Sequence, residues 1–348
     1  MSVPKLRFKD ENRQILSDWQ EENLLNLSAS GFSNGVFNDP TKVGSGYKLI
    51  NVLDMYIEST INENKLTLVE LSEDELNRNK VEYGDVFFTR SSLVKEGIAH
   101  SNIYLSNSKD VTFDGHLIKM SPKKDLLNPI FFYYLLKTSQ VRKQLVKRGK
   151  TTTMTTIGQA DIATVKVAFP EVNEQTKIAD FLMAVDEKIA QLTQKCKLLA
   201  RYKKGVMQQI FSQELRFKDD DGRDFPDWEN TTLGNIATFL KGRGISKADI
   251  VKDGDTLCIR YGELYTEYSE TIQEIKSKTN INHNELQFSK SNDVIIPASG
   301  ETQIDIAKAS CVLLSGVALG GDLNIIRSKE NGIFLAYYSL LRHQVVQY

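Results

Sequence analysis

From Glu174 to Gln213 the apolar positions fall at alternating steps of four and three: Ile178, Leu182, Val185, Ile189, Leu192, Cys196, Leu199, Val206 and Ile210, with Lys203 the one polar member. This heptad seam, narrower than the stripe of an ordinary globular helix, predicts a long coiled-coil-type α-helix. Ala, Leu, Lys, Gln and Glu dominate its flanks, and no Gly or Pro interrupts it before Gly205. Early acids (Glu171, Glu174, Asp180) and late bases (Arg201, Lys203, Lys204) suit the helix dipole. Forty residues at 1.5 Å each make a rod of about 60 Å, which needs a partner helix to cover its seam. Elsewhere the pattern is that of strands. GYKLINVLDMYI and YGDVFFTRS in the first half, and DTLCIRYGELY, NDVIIPASG and ASCVLLSG in the second, are β-branched and aromatic runs bounded by turn residues. Pro129 to Val146 predicts one helix, and Thr151 to Pro170 an irregular polar loop with a last strand.

The strand-rich halves repeat one another. Leu6-Arg7-Phe8-Lys9-Asp10 returns as Leu215-Arg216-Phe217-Lys218-Asp219, and Asp18-Trp19 as Asp227-Trp228, at an offset of 209. Asp85-Val86 falls on Asp293-Val294 at 208, and Tyr133-Tyr134 on Tyr337-Tyr338 at 204. Identities that keep one register over so long a stretch imply a tandem duplication. The pattern therefore predicts an α+β protein of two similar domains, residues 1–170 and 214–348, joined by the long helix of residues 171–213. By this register Tyr348 lies over about position 144, so the second unit is expected to lack the counterpart of the following segment and of a second long helix.

Composition narrows the function more than the fold. A hydrophobic fraction of 41% is that of an ordinary globular chain. Cys196, Cys258 and Cys311 form no C-x-x-C, and neither a signal peptide nor an 18-residue apolar run is present, so a cytoplasmic protein without a metal site is expected. Residues 1–170 carry 22 basic and 20 acidic side chains, while residues 214–348 carry 15 and 20. A dedicated non-specific DNA binder would be far more basic, so nucleic-acid binding must rest on local patches. Catalytic motifs are missing: no P-loop, no G-x-S-x-G and no H-E-x-x-H. The four histidines lie far apart, and Glu274-Ile275-Lys276 is too short a pattern to stand for a nuclease.

Two local patches carry nucleic-acid chemistry. Lys137 to Lys150 holds six bases and no acid and runs into Thr151-Thr152-Thr153; Lys147, Arg148 and Lys150 can neutralise phosphates, while the threonines and the amides around Gly149 can bond phosphate oxygens or base edges. A solvated helix terminus explains the same residues without DNA. The second patch is Arg90-Ser91-Ser92 after the apolar strand, with Ser299 and Thr302 at the duplicated place. An Arg at a strand end can read guanine bidentately, and hydroxyls address several bases. Arg260, standing where the first unit has Asn51, is the further candidate in the second unit.

The stretch FPEVNEQTKIADFLMAVDEKIAQL, with Pro170, Glu174, Gln175, Lys177, Ile178, Ala179, Leu182, Asp186 and Ile189 at matching positions, together with the repeated Leu-Arg-Phe…Asp-Trp opening, resembles the specificity subunits of type I restriction-modification enzymes. The resemblance implies two target recognition domains, each reading half of a split double-stranded DNA site, held apart by two antiparallel helices of which the second is absent here. It implies methyltransferase subunits and a motor-nuclease subunit as partners, with S-adenosylmethionine, ATP and magnesium belonging to them. This chain is then expected to be non-catalytic, directing methylation and cleavage to the site. The alternatives are a scaffold or inhibitory form that keeps the rod without productive DNA recognition, and a self-contained nuclease or methyltransferase, against which the missing motifs speak. An uncovered seam of Ile178, Leu182, Val185, Ile189, Leu192, Leu199, Val206 and Ile210 also implies self-association through the helix.

Overall fold

The computed structural model describes residues 7, 8, 18–37, 40–57, 59–300 and 308–345. The chain divides into two compact units, residues 1–193 and 194–348, with the division inside the long helix.

Unit 1 begins with β1 (Gln20–Asn23), α1 (Leu24–Leu27) and β2 (Ser28–Asn34). It continues through β3 (Val43–Ile50), a 3-10 turn at Val52–Tyr56, β4 (Thr67–Val69) and α2 (Glu73–Arg78). Then come β5 (Val86–Thr89), β6 (Ser91–Ser92), β7 (Ser101–Ile103), β8 (Val111–Phe113) and β9 (Leu117–Pro122). The sheets have the orders β2-β9-β5-β7 and β4-β3-β8. β5 explains why VFF is a continuous apolar run. Phe88 packs into the core under the helices that follow, whereas Phe87, next to it and on the opposite face, packs with Ile50, Met55, Tyr104 and Phe113. Each of the two rings is fully buried and contributes about 1.5–3 kcal/mol.

The helix predicted from Pro129 to Val146 is two helices, α3 (Pro129–Lys137) and α4 (Ser139–Arg148). Thr138 separates them with extended backbone (φ −61°, ψ 146°), its hydroxyl donating to Leu135 O at 2.7 Å. A short hydroxyl side chain that satisfies the last turn in this way competes with helix continuation. The segment read as a loop contains a small hairpin, β10 (Lys150–Thr151) and β11 (Thr155–Thr156), then α5 (Gln159–Ala163) and β12 (Lys166–Phe169), which pairs with β1. The long helix follows as α6 (Val172–Phe211), 40 residues without a break.

Unit 2 runs through α7 (Leu233–Ile236), β13 (Ala237–Lys241), β14 (Thr256–Ile259), α8 (Glu263–Thr266), β15 (Thr271–Ile272) and β16 (Ser277–Thr279). It continues with β17 (Asp293–Pro297), β18 (Ser310–Val312), β19 (Ala318–Leu319), β20 (Leu323–Ser328) and α9 (Gly332–Val345). Its sheets, β13-β20-β17-β18-β15 and β16-β14-β19, repeat the connectivity of unit 1 strand for strand, with β15 added at one edge. The register of the last helix shifts by one residue from that of the sequence. Asn128 and Asn331 are the equivalent caps, each bonding first-turn amides, so Phe131 answers to Phe334 and Tyr134 to Tyr337.

Candidate nucleic-acid interface

The two candidate patches of unit 1, some sixty residues apart in sequence, lie in one sheet. β6 pairs with β11 (Ser92 opposite Thr155, Ser91 opposite Thr156), and β11 pairs with β10. Arg90 enters this sheet from the buried end of β5. Its N–H donates to His116 O at 3.1 Å and its carbonyl accepts from Ile157 N at 3.1 Å, so the backbone is fixed on both sides. The side chain itself is exposed, and no described residue bonds it. A fixed backbone with a free guanidinium is the arrangement a base reader needs. Ser91 and Ser92 are half-buried beside it, while Thr151, Thr152 and Thr153 are exposed at the hairpin end.

Of the basic candidates, Lys147 is exposed on α4 without a carboxylate partner among the described residues. Lys150 is exposed too and lies 3.4 Å from Asp161, a surface pair of little strength. Arg148 is different. Its guanidinium donates to Gln144 O and to both the hydroxyl and carbonyl of Thr164, which ties α4 to the loop before β12. It serves the fold rather than a phosphate. Gly149 also has a structural reason: its N–H donates to Val146 O, and a Cβ there would lie 2.8 Å from Thr155 Cγ2 and 3.1 Å from Ile98 Cγ2. The amide expected to bind phosphate is thus already spent.

Sequence reasoning passed over Leu93 and Val94, which follow β6 with 87% and 62% of their surfaces exposed. Two bare apolar side chains beside Arg90 can meet a thymine methyl group. The signal was present as an apolar pair inside a polar turn.

In unit 2, Ala298 N donates to Asp322 O at 2.8 Å, and the next residue, Ser299, is exposed. Thr302 lies outside the described residues. Arg260 is largely framework. Its backbone N–H donates to the Glu263 carboxylate at 2.7 Å, as Asn51 N does to Asp54 in unit 1, and its guanidinium lies 3.9 Å from Glu263 with Nε buried and unbonded among the described residues. Arg260 and Ser299 flank one turn, Gly320 to Asp322, since a Cβ on Gly320 would lie 3.6 Å from Arg260 Cα.

α6 carries the residues that matched the family stretch, and in unit 1 they are its anchor. Glu174 and Gln175 are fully buried. Glu174 accepts from Arg7 at 2.7 and 3.2 Å, while Gln175 accepts from Asn128 N and donates to Leu126 O and Pro170 O, all at 2.8 Å. Tyr134 donates to Asp186 at 2.7 Å, and burial together with that carboxylate pushes its phenol up. In unit 2, Lys203, the polar seam position, bonds Glu270 at 3.0 Å and lies over the Tyr337 ring. Nearby Leu199, Val206 and Ile210 line, with Ile333, Phe334 and Tyr337 of α9, an apolar cavity of about 850 Å³. Of the remaining seam, Ile178 packs against the unit 1 core, Leu182 is half-buried, and Val185, Ile189 and Leu192 are exposed.

Among the described residues, no three His, Cys, Asp or Glu side chains come together as metal ligands, and no helix is long and apolar enough to cross a membrane. Burial pushes the Cys258 and Cys311 thiols up to about 11, away from nucleophilic use.

Residues 37–200 match the family model described as the type I restriction modification DNA specificity domain. A Methanocaldococcus jannaschii protein described as a type I restriction enzyme specificity subunit is 24% identical over 341 residues, covering 95% of this chain and 77% of that one. The type I restriction enzyme EcoKI specificity subunit of Escherichia coli is 28% identical over 148 residues, 42% of this chain and 31% of its own. In fold, the chain is similar to the S subunit of a type I restriction-modification system from M. genitalium, with a TM-score of 0.56 at 14% identity, covering 99% of this chain and 81% of that one. The duplicated sheets, the long helix anchored by its Glu-Gln pair and the matched domain point one way: residues 37–200 carry a type I restriction modification DNA specificity domain, and the chain as a whole is similar to the specificity subunits of type I restriction-modification systems.

Proposed function

We propose that this specificity subunit reads a bipartite double-stranded DNA site, one half through residues 1–170 and the other through residues 214–348, with residues 171–213 as the connecting helix. In the first reader Arg90 addresses a base, Ser91, Ser92 and Thr151 to Thr153 address base edges and phosphates, and Lys147 and Lys150 neutralise phosphates. In the second, Ser299 and, by the sequence register alone, Thr302 take the equivalent part, with Arg260 near Ser299. The observation that carries this reading is Arg90: exposed, unpaired among the described residues, and set on a backbone bonded on both sides within the sheet that joins both patches.

The chain itself supplies no reacting group. Methylation and cleavage belong to methyltransferase and motor-nuclease subunits, which bring S-adenosylmethionine, ATP and magnesium, and the complex works on DNA in the cytoplasm. The bare stretch of the α6 seam, Val185, Ile189 and Leu192, is where another helix docks, from a partner subunit or from a second copy of this chain.

Fluorescence anisotropy on a duplex selected by the complex with its methyltransferase subunits tests the assignment. Arg90→Ala is expected to weaken target binding by about 1–3 kcal/mol and relax preference at one base pair, whereas Lys147→Ala weakens all sequences alike and lowers the salt slope by about one. Equal losses on target and random duplex for Arg90→Ala would remove Arg90 from base reading.

A further inference from the structure

Unit 1 has a second concave polar site, away from its hydrophobic cores. A cavity of about 390 Å³ is lined by Tyr56, Ile57, His100, Ser101, Lys137 and Arg142. This volume lies in the range of small-ligand sites, about 300–1,000 Å³. The lining comes from the 3-10 turn after β3, from the entry to β7, and from the junction of α3 and α4. Tyr56 stacks on His100 with ring centroids 4.8 Å apart and planes 26° from parallel, and about half of the Tyr56 surface remains exposed.

The charge in this cavity is one-sided. Arg142 donates to the carbonyls of Glu96, Ile98 and Ala99, which occupy its N–H groups but leave its charge uncompensated. Lys137 bonds the Tyr133 hydroxyl and lies over that ring. The carboxylate acting on Lys137 is Asp186 of α6, and Asp186 is already the acceptor of Tyr134. Among the described residues no carboxylate lines the cavity. Burial, and then the charges of Arg142 and Lys137, lower the His100 pKa, against one hydrogen bond to the Met55 carbonyl that raises it. These two cations disfavour a third and hold His100 neutral near pH 7, and a bound anion works in the opposite direction.

The duplicated unit shows which part of this is framework. At the same register Tyr265 faces Lys308, with the ammonium 5.8 Å from the ring centroid, so both units set a nitrogen base against a tyrosine ring at this place. In the register of the last helix Lys137 and Arg142 fall on Leu340 and Val345, so these two cations have no counterpart at the same positions of the second unit's sequence.

We propose that the cavity of unit 1 is a phosphate-binding site that takes the phosphate of a nucleotide against His100 and Lys137, with the Arg142 charge behind them and the sugar or base against Tyr56. The phosphate comes either from the backbone of bound DNA or from a free mononucleotide. Only the first source rests on the DNA-reading role.

The full chain labelled at histidine Cε1 gives four ring signals, and His100→Gln assigns one of them. Titration with inorganic phosphate, then with AMP, is expected to move the His100 signal saturably and raise its pKa by about one unit, leaving His116 and His283 in place. Lys137→Met, with the other histidine signals unchanged as proof of folding, is expected to weaken phosphate binding about tenfold. Two arms separate the sources. If Lys137→Met lowers the salt slope of duplex binding by about one, the ligand is a DNA phosphate; an unchanged slope, with AMP binding more tightly than phosphate, assigns a free nucleotide. Arg90→Ala protein that has lost target preference but keeps the His100 response would show that the pocket stands apart from base reading. A His100 signal that stays put in tens of millimolar phosphate and AMP, or one that moves equally in Lys137→Met, overturns the proposal.

Discussion

The two units share a frame yet hold it together with different chemistry. In both, a buried aspartate at the start of the central strand clamps the neighbouring one: Asp85 accepts from Glu82 N and Ser121 and faces Lys119 at 3.5 Å, while Asp293 accepts from Lys290 N and takes two bonds from Arg327 at 2.6 and 2.8 Å. The opening arginines differ. Arg216 pairs with Asp227, whose side chain is 97% exposed, as Arg7 faces the equivalent Asp18 at 4.0 Å, but Arg7 also pairs with Glu174, whose side chain is 1% exposed. A duplicated position is thus free to change its energetics once a different element covers it. The backbone frame endures, and the price of a charge is set by what lies over it.

The largest expected effect separates those two arginine pairs. Glu174→Ala removes the buried acid from Arg7, leaving the exposed Asp18 at 4.0 Å, and is expected to destabilise unit 1 by about 3–5 kcal/mol. Asp227→Ala removes a solvated partner and is expected to change unit 2 by less than about 1 kcal/mol. Each unit has a single tryptophan, Trp19 or Trp228, so urea unfolding in Trp228→Phe and Trp19→Phe backgrounds reports on one unit at a time. Equal losses from the two substitutions would erase the distinction between a covered and an open pair.

Glycines test the part that did not diverge. A Cβ on Gly35 would lie 1.9 Å from Phe113 O, and one on its counterpart Gly242 2.0 Å from Gly320 O, because each follows the first strand of its sheet where the backbone crosses the next layer. Gly35→Ala and Gly242→Ala are both expected to destabilise their units by at least about 1–3 kcal/mol. A neutral result in one unit would mean that its crossing can open. This shared crossing was not legible in sequence, since a glycine kept for a long-range backbone approach looks like any turn glycine. The duplication, the seam and the apolar strands were legible because each is a pattern along the chain. The pairing of β6 with β11 was not, for it joins Ser91 and Ser92 to Thr155 and Thr156 across sixty residues with no local signal. Arg148 misled for a related reason: six bases within fourteen residues signal a patch, but not which of them the fold consumes.

The smallest expected effect depends on pH and divides the units at one edge of their frame. In unit 1, Lys48 bonds Glu63 at 2.8 Å and Asp110 at 3.2 Å, and Glu63 also accepts from Ser106 and Tyr104. At the same register unit 2 carries Leu257, Ile272 and Val312, the last two fully buried in an apolar cluster. The Lys48 ammonium, then the Ser106 hydroxyl, hold the Glu63 carboxyl down at about 2, with burial working against them and the Tyr104 hydroxyl adding to them. A folded pKa below the unfolded one means that the carboxylate form stabilises the fold. That contribution is complete above the unfolded value of 4.5 and is lost as pH falls toward 2. Glu63→Gln is therefore expected to destabilise unit 1 by about 1–2 kcal/mol at pH 7, a loss that shrinks below pH 5 and vanishes near pH 2, read from Trp19 in the Trp228→Phe background. Ile272→Val in unit 2 is expected to cost about 0.5–1.5 kcal/mol at every pH, because only a methylene is removed. A Glu63→Gln loss that does not vary with pH would show that its place in unit 1 is held by packing, as in unit 2, and not by charge.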